Sequence, residues 1–187
     1  TTTILARLVG QKLTESWGQQ VIVDNRPGGN TVIGTEALAK SPADGYTIIM
    51  TSLTHIITPL LMPTPYDAFK DFAPVATVSR YGVILAMHPS VPANNLQELI
   101  ALAKSRPGEL NYASGGGGTG THLAGELFNI MTGVKIQHIP YKGTGPAMTD
   151  LLGGQVQMFF GPPSVAVPHV KAGKLKAIAI SGETRLA

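Results

Sequence analysis

The fold is decided by one stretch of sequence, Tyr112-Ala113-Ser114-Gly115-Gly116-Gly117-Gly118-Thr119-Gly120-Thr121-His122-Leu123-Ala124-Gly125-Glu126. A strand-like segment, residues 110–113, leads into the glycines, and a helix-like segment, residues 123–131, follows them. A strand that turns through glycine into a helix leaves unpaired backbone N–H groups at the positive end of the helix dipole, where anions bind. The stretch therefore predicts an anion-binding loop, which we interpret as holding a carboxylate in a binding protein rather than an enzyme.

The composition is typical of a well-packed α/β protein. Hydrophobic residues make up 43% of the 187 residues and charged residues 13%, which argues against disorder. The net charge is +3 and the basic residues are scattered, so we expect no nucleic-acid partner. No apolar run reaches the ~18 residues of a membrane span, so we expect no stable membrane insertion. The chain has no cysteine, which excludes disulfides and thiolate zinc sites.

Both ends of the sequence suggest a longer protein. No signal peptide is visible, and a helical pattern begins directly after Thr1-Thr2-Thr3. The chain stops at residues 185–187, just past a predicted strand. We therefore expect both ends to be internal.

Strand-like and helix-like segments alternate along the chain. Asn95 and Glu98 form a capping box ahead of a predicted helix over 96–104. Most strands are continuous apolar runs, which predicts doubly wound parallel sheets covered by helices on both faces. An irregular region over 62–79 separates two such units, so we predict a first domain over 1–81 and a second over 82–187. The strands are predicted over 20–23, 46–51, 72–79, 83–87, 110–113, 135–140, 156–160 and 175–180.

Four loops rich in glycine or hydroxyl groups follow predicted strands. They cover residues 51–55, 114–121, 141–145 and 161–164. In open α/β sheets, ligands lie beyond the carboxyl ends of the strands. Two units whose polar loops face one cleft would form a ligand clamp.

Nucleotide binding is the first alternative. Gly115-x-Gly117-x-x-Gly120 matches the dinucleotide fingerprint, but the strand over 135–140 ends without the acidic residue that holds a ribose. A phosphate loop needs lysine after its last glycine, where this chain has Thr121. We therefore predict no cofactor, although an enzyme on a doubly wound fold stays open as the alternative.

Hydrolysis and metal binding have little support in the sequence. No serine lies in Gly-x-Ser-x-Gly, and the five histidines show no metal-ligand spacing, so no catalytic or metal site is predicted. His122 lies in the first turn of its helix, which favours a structural hydrogen bond, and Glu126 on the same face predicts an internal pair. His55 follows a strand end, and both a structural and a ligand role stay open.

A set of motifs in order along the chain resembles the substrate-binding proteins of tripartite tricarboxylate transporters, also called the Bug family. The resemblance covers essentially the whole chain. The motifs are Arg26-Pro27-Gly28, Ala43-Asp44-Gly45-Tyr46-Thr47, the stretch over 112–128, Pro140-Tyr141-Lys142-Gly143, Pro146-Ala147, Asp150-Leu151-Leu152-Gly153-Gly154 and Lys171-Ala172-Gly173-Lys174-Leu175.

The resemblance implies a periplasmic, monomeric protein with a two-domain type II binding-protein fold, in which two doubly wound α/β domains flank a ligand cleft. Such proteins capture small carboxylates and deliver them to membrane transporter subunits. Backbone amides, hydroxyls and ordered waters hold the carboxylate in this family. The positions here that match its ligand loops are Thr51, Ser52, Thr54, His55, Ser114, Gly115, Gly116, Gly118, Thr119, Thr121, Tyr141 and Gly161.

The sequence departs from the family pattern in two ways. The family's first strand and its glycine-rich loop would precede residue 1, and a returning strand would follow residue 187, so the first domain is expected to be incomplete. Thr3, Leu53 and Thr58 stand where the family often has aspartate, glycine and asparagine.

Overall fold

The computed structural model describes residues 2–182, so the expectation about the chain end at 185–187 lies outside the described residues. The chain divides into two compact units, Thr1–Ser79 and Arg80–Ala187. Within residues 2–182, no helix has both the length and the apolar character needed to cross a membrane.

The first unit is helical where it is regular. Helix α1 covers Thr2–Trp17, a 3-10 turn covers Gly29–Thr31, α2 covers Val32–Ala39 and α3 covers Thr54–Leu61. Helix α3 begins at Thr54, inside the segment predicted as the 51–55 loop.

The strands predicted in this unit over 20–23, 46–51 and 72–79 are wrong for the described residues, because none of them has a hydrogen-bonded strand neighbour. An extended segment becomes a strand only through such pairing. Several of their apolar side chains consequently stay exposed, among them Ile22 at 81%, Tyr46 at 93% and Val75 at 86%.

The second unit is an α/β sandwich around a five-stranded sheet with strand order β3-β2-β4-β1-β5. The prediction of alternating strands and helices is confirmed here, with boundaries shifted by up to three residues. In chain order the elements are β1 Ile84–Met87, α4 Leu96–Ser105, β2 Asn111–Ser114, α5 Gly120–Thr132, β3 Gln137–Pro140, α6 Thr144–Leu152, β4 Met158–Gly161, α7 Pro163–Lys171 and β5 Lys176–Ile180.

The sheet is mixed rather than wholly parallel. Strand β2 pairs in parallel with β3 and β4, as predicted, but β1 runs antiparallel to both β4 and β5. All four residues of β1 are buried. An apolar run buried on both faces fits either strand direction, so the β1 sequence alone left its direction open.

Two apolar clusters cover the two faces of this sheet. Alternate residues of a strand point to opposite faces, so Leu85 belongs to one cluster and Ile84 to the other. The first cluster includes Leu99 of α4, and the second includes Leu151 of α6. The sheet therefore has helices on both faces, as the continuous apolar strands predicted.

Candidate functional site

The glycine loop, residues 115–119, connects the carboxyl end of β2 to the start of α5. Strand β2 lies between β3 and β4, so the loop emerges from the interior of the sheet rather than from an edge. The 141–145 loop lies beside it, because the amides of Tyr141 and Gly143 donate to the carbonyls of Ser114 and Gly115 at 3.2 and 3.1 Å. The structure thus brings together two of the four predicted loops.

Hydroxyl groups hold the glycine loop from within. The Oγ1 of Thr119 donates to the Gly116 carbonyl at 2.7 Å and caps α5 by accepting the His122 N–H at 3.3 Å. The Oγ1 of Thr121 accepts the Gly115 N–H at 3.0 Å and lies 2.9 Å from the Thr119 Oγ1. These hydroxyls, which were predicted to contact the ligand, are therefore engaged within the loop.

Glycine is required at two of the loop positions. Gly116 and Gly118 have φ angles of 133° and 72°, which side chains other than glycine rarely adopt. The N–H of Gly116 donates to the Ser114 Oγ at 3.1 Å, and the N–H of Gly118 donates to the His122 Nδ1 at 3.0 Å. The backbone of the loop is thus fixed at both positions.

Three backbone N–H groups of the loop and the first turn of α5 stay open. The amides of Gly117, Gly120 and Thr121 have no hydrogen-bond acceptor within residues 2–182. All three residues are partly accessible. Donors at a helix start, next to the positive end of the helix dipole, match the lone pairs of a carboxylate.

Two stacked imidazole rings lie beneath the loop. The rings of His122 and His138 are 4.0 Å apart between centroids and inclined by 24°. The Nε2 of His138 lies 2.6 Å from the Oγ of Ser114. Burial, with a smaller contribution from the charge of His122, lowers the pKa of His138 to about 4. The predicted structural hydrogen bond of His122 is confirmed as its contact with Gly118.

Tyr112 connects β2 to α5 below these rings. Its Oη donates to the Glu126 Oε1 at 2.7 Å, and burial together with this carboxylate raises the pKa of the phenol. The Oε1 of Glu126 is 3.9 Å from the Nε2 of His122, so the predicted pair of these residues is a loose one. Tyr112 and His138 were not predicted as parts of the site, although an aromatic residue and a histidine on neighbouring strands were a signal that could have identified them.

The two other predicted site residues of this unit have structural partners. The Oη of Tyr141 donates to the Asp150 Oδ2 at 2.7 Å, and burial and this bond raise the pKa of Tyr141 to about 12. Gly161 is buried, and a Cβ there would lie 1.9 Å from the Phe159 ring. Packing therefore accounts for glycine at 161, and ligand contact by Tyr141 or Gly161 stays a prediction.

The 51–55 loop of the first unit is partly exposed. Thr51 and Ser52 face solvent, whereas Thr54 is buried and its Oγ1 accepts from the Ser52 Oγ at 3.2 Å. His55 is half-buried, and its Nε2 is 3.1 Å from the Ala68 carbonyl.

An aromatic cluster surrounds the His55 ring. Tyr66 stacks on it at 6.2 Å, and Phe72 meets its edge at 4.9 Å. The Nδ1 of His55 has no partner within the described part of the chain. The contact of Nε2 with a carbonyl favours a structural role, whereas Nδ1, without a partner there, leaves a position for a ligand. The ligand role of His55 therefore stays a prediction.

The contact between Ser114 and His138 is not a hydrolase pair, and no metal centre forms among the described residues. Ser114 and His138 have the spacing of a nucleophile and a base, but Ser114 is 0% exposed, so a substrate cannot reach its hydroxyl. The lowered pKa of His138 also makes it a weak base near neutral pH. No group of three or more histidine, aspartate or glutamate side chains within residues 2–182 could hold a metal ion.

Comparison with known proteins identifies the family that has this architecture. Residues 5–187 match the family model described as the tripartite tricarboxylate transporter family receptor. Protein BugT of Bordetella pertussis is 42% identical over 98% of this chain and 57% of its own length. The chain therefore spans about half the length of the curated relatives it matches.

Solved structures agree with that match. A structure described as R. palustris Rpa4515 with adipate is 37% identical, with a TM-score of 0.95 over 99% of this chain and 62% of that one. MatC from Rhodopseudomonas palustris, with bound malate, is 31% identical, with a TM-score of 0.90 over 99% of this chain and 64% of that one.

Proposed function

The chain belongs to the family of tripartite tricarboxylate transporter receptors, and we propose that its protein captures a small carboxylate in the periplasm for a membrane transporter. The observation that supports this function best is the set of three open amides, those of Gly117, Gly120 and Thr121, at the start of α5. We expect one carboxylate group to accept from these amides.

The remaining groups of the loop have a supporting role in this proposal. The hydroxyls of Ser114, Thr119 and Thr121 hold the backbone, so that the amides are already oriented before the ligand arrives. A preorganised donor set loses little freedom on binding, which favours affinity. Gly115, Gly116 and Gly118 allow the ligand and the backbone to approach closely.

We infer a dicarboxylate as the ligand class, because the related structures contain adipate and malate. A binding role, as opposed to an enzymatic one, agrees with the burial of Ser114 and with the receptor family. The enzyme alternative is accordingly not favoured.

A ligand screen tests the proposal. We expect adipate or malate at about 100 times its dissociation constant to stabilise the protein by about 2.7 kcal/mol, measured as a shift in thermal unfolding. Nucleotides such as NAD and ATP are the controls and should give no shift. Stabilisation by nucleotides and not by carboxylates would contradict the proposal.

A further inference from the structure

Within residues 2–182 the Gly118 amide has one hydrogen-bond partner, and that partner can be protonated. Its N–H donates to the Nδ1 of His122 at 3.0 Å, and Gly118 is buried. A nitrogen that accepts this bond must have no proton, so the neutral ring carries its proton on Nε2. Protonation of Nδ1 would replace the acceptor with a donor and leave the Gly118 N–H unsatisfied.

The groups around His122 determine how it responds to a proton. On its own helix, the Glu126 Oε1 lies 3.9 Å from Nε2. From β3, His138 stacks on the ring at 4.0 Å. From β2, the Tyr112 Oη donates to Glu126 at 2.7 Å and lies 3.2 Å from the His122 carbonyl oxygen. The His122 side chain is 24% exposed, so protons from solvent can reach it. Burial lowers the pKa of His138 to about 4, so this second ring is neutral near neutral pH.

We propose that His122 is a positioning residue of the glycine loop, and that its protonation releases Gly118 and weakens carboxylate binding. This inference rests on the proposed function. The open amide of Gly117 directly precedes Gly118, and the open amide of Gly120 follows two residues later. A displacement of Gly118, with its φ of 72°, therefore moves the groups that would hold the ligand.

Two opposing effects of the imidazolium have to be compared. Its charge attracts a carboxylate, but the Glu126 carboxylate, 3.9 Å from Nε2, offsets part of that attraction. Loss of the acceptor has no such compensation, because the Gly118 N–H is buried. The second effect is the larger one, so affinity falls on acidification and the ligand is released more readily at low pH.

Calorimetric titration of the full chain with adipate, between about pH 7.5 and about pH 5.5, tests the proposal. We expect the affinity of the wild-type protein to fall about tenfold over this range. His122→Leu should bind weakly throughout. His122→Asn, whose side-chain oxygen can accept from Gly118 but cannot titrate, should recover most of the affinity lost in His122→Leu and should lose less affinity at low pH than the wild type.

A matched control is His169→Asn on α7, which should keep the wild-type pH profile. Any titration of adipate itself is common to all variants and cancels in the comparison. A wild-type affinity that is constant or higher at low pH, or an unchanged pH profile in His122→Asn, would overturn the proposal.

A second measurement separates this inference from the proposed function. The amide resonance of Gly118 in the ligand-free protein should shift as His122 titrates in the wild type and should not shift in His122→Asn. If no carboxylate binds at any pH, the proposed function fails, and the Gly118 resonance still decides whether His122 holds the loop. A resonance that does not respond to pH in the wild type would overturn this role.

Discussion

The ring of Tyr112 lies directly against the backbone of Gly125, and a Cβ at position 125 would be 2.3 Å from two of the ring atoms. Tyr112 is fully buried, and its hydroxyl is held by Glu126, so the ring cannot move aside. Gly125→Ala should therefore lower the free energy of unfolding by about 3 kcal/mol through overpacking. Urea unfolding followed by circular dichroism measures this change.

Gly145→Ala is the matched control for that substitution. Gly145 lies in the first turn of α6, and a Cβ there would meet nothing within 4 Å. Alanine has the higher helix propensity, so we expect no loss of stability at 145. Equal effects at positions 125 and 145 would show that the contact with Tyr112 has no bearing on stability.

The open amide of Gly120 can be removed with little change to the helix. Proline is favoured at the first position of a helix, and Thr119 before it has the extended backbone (φ −73°, ψ 158°) that proline requires of its neighbour. We expect Gly120→Pro to bind adipate at least about ten times more weakly than Gly120→Ala, because only the alanine variant keeps the N–H.

Isothermal titration of the two variants measures this ratio. Circular dichroism shows whether α5 stays helical in both. A Cβ at position 120 would meet nothing within 4 Å, so steric effects are small in either variant. Equal affinities would mean that the Gly120 amide does not contact the ligand.

Local signals in the sequence predicted the second unit well. The Asn95 cap is confirmed, because its Oδ1 accepts the Glu98 N–H at 2.9 Å and α4 begins there. The return bond of the box differs from the prediction, since the Glu98 carboxylate accepts the Asn94 N–H at 2.7 Å. A helix cap or an apolar period is encoded by residues only a few positions apart, and it specifies a helix or strand in that same part of the chain. The strand, glycine loop and helix over 111–132 were predictable for the same reason.

Contacts between distant segments were not predictable in this way. His138 meets Ser114 only because β2 and β3 pair in a register that aligns Ser114 with Pro140. No local pattern encodes that register. The strands predicted over 20–23 and 46–51 failed for a related reason, since pairing requires a neighbour that their own residues do not specify.

Lys176 of β5 connects the last strand to the segment before α4. Its Nζ donates to the carbonyls of Val91 and Ala93, both at 3.1 Å, and to the Oδ1 of Asn94 at 3.0 Å. Lys176→Met should lower the free energy of unfolding by about 2 kcal/mol, because buried carbonyls lose a charged donor. Urea unfolding measures the loss.

Lys174→Met serves as the comparison for Lys176. Lys174 is exposed, and substitutions of this kind usually change stability by no more than about 0.5 kcal/mol. If both variants lose the same stability, the change of charge and not the loss of the three bonds is responsible.

The lowered pKa of His138 predicts how stability depends on pH. Its pKa is about 4 in the folded protein against a usual 6.5, so the unfolded chain binds more protons between these values. The stabilisation is complete above the unfolded pKa and is lost as the pH falls toward the folded one. This histidine should therefore lower the free energy of unfolding by about 2 kcal/mol between about pH 7 and about pH 5.

His138→Gln isolates that contribution, because glutamine cannot titrate but can still offer a polar atom to the Ser114 hydroxyl 2.6 Å from the imidazole. Urea unfolding at the two pH values should show a smaller acid loss in His138→Gln than in the wild type. His169→Gln on α7 controls for the general effect of removing a histidine and should keep the wild-type loss. Because the measurement needs no ligand, it separates the contribution of the half-buried His138 to stability from the effect on affinity that we propose for His122. An acid loss in His138→Gln as large as that of the wild type would mean that His138 is not protonated on unfolding in this range.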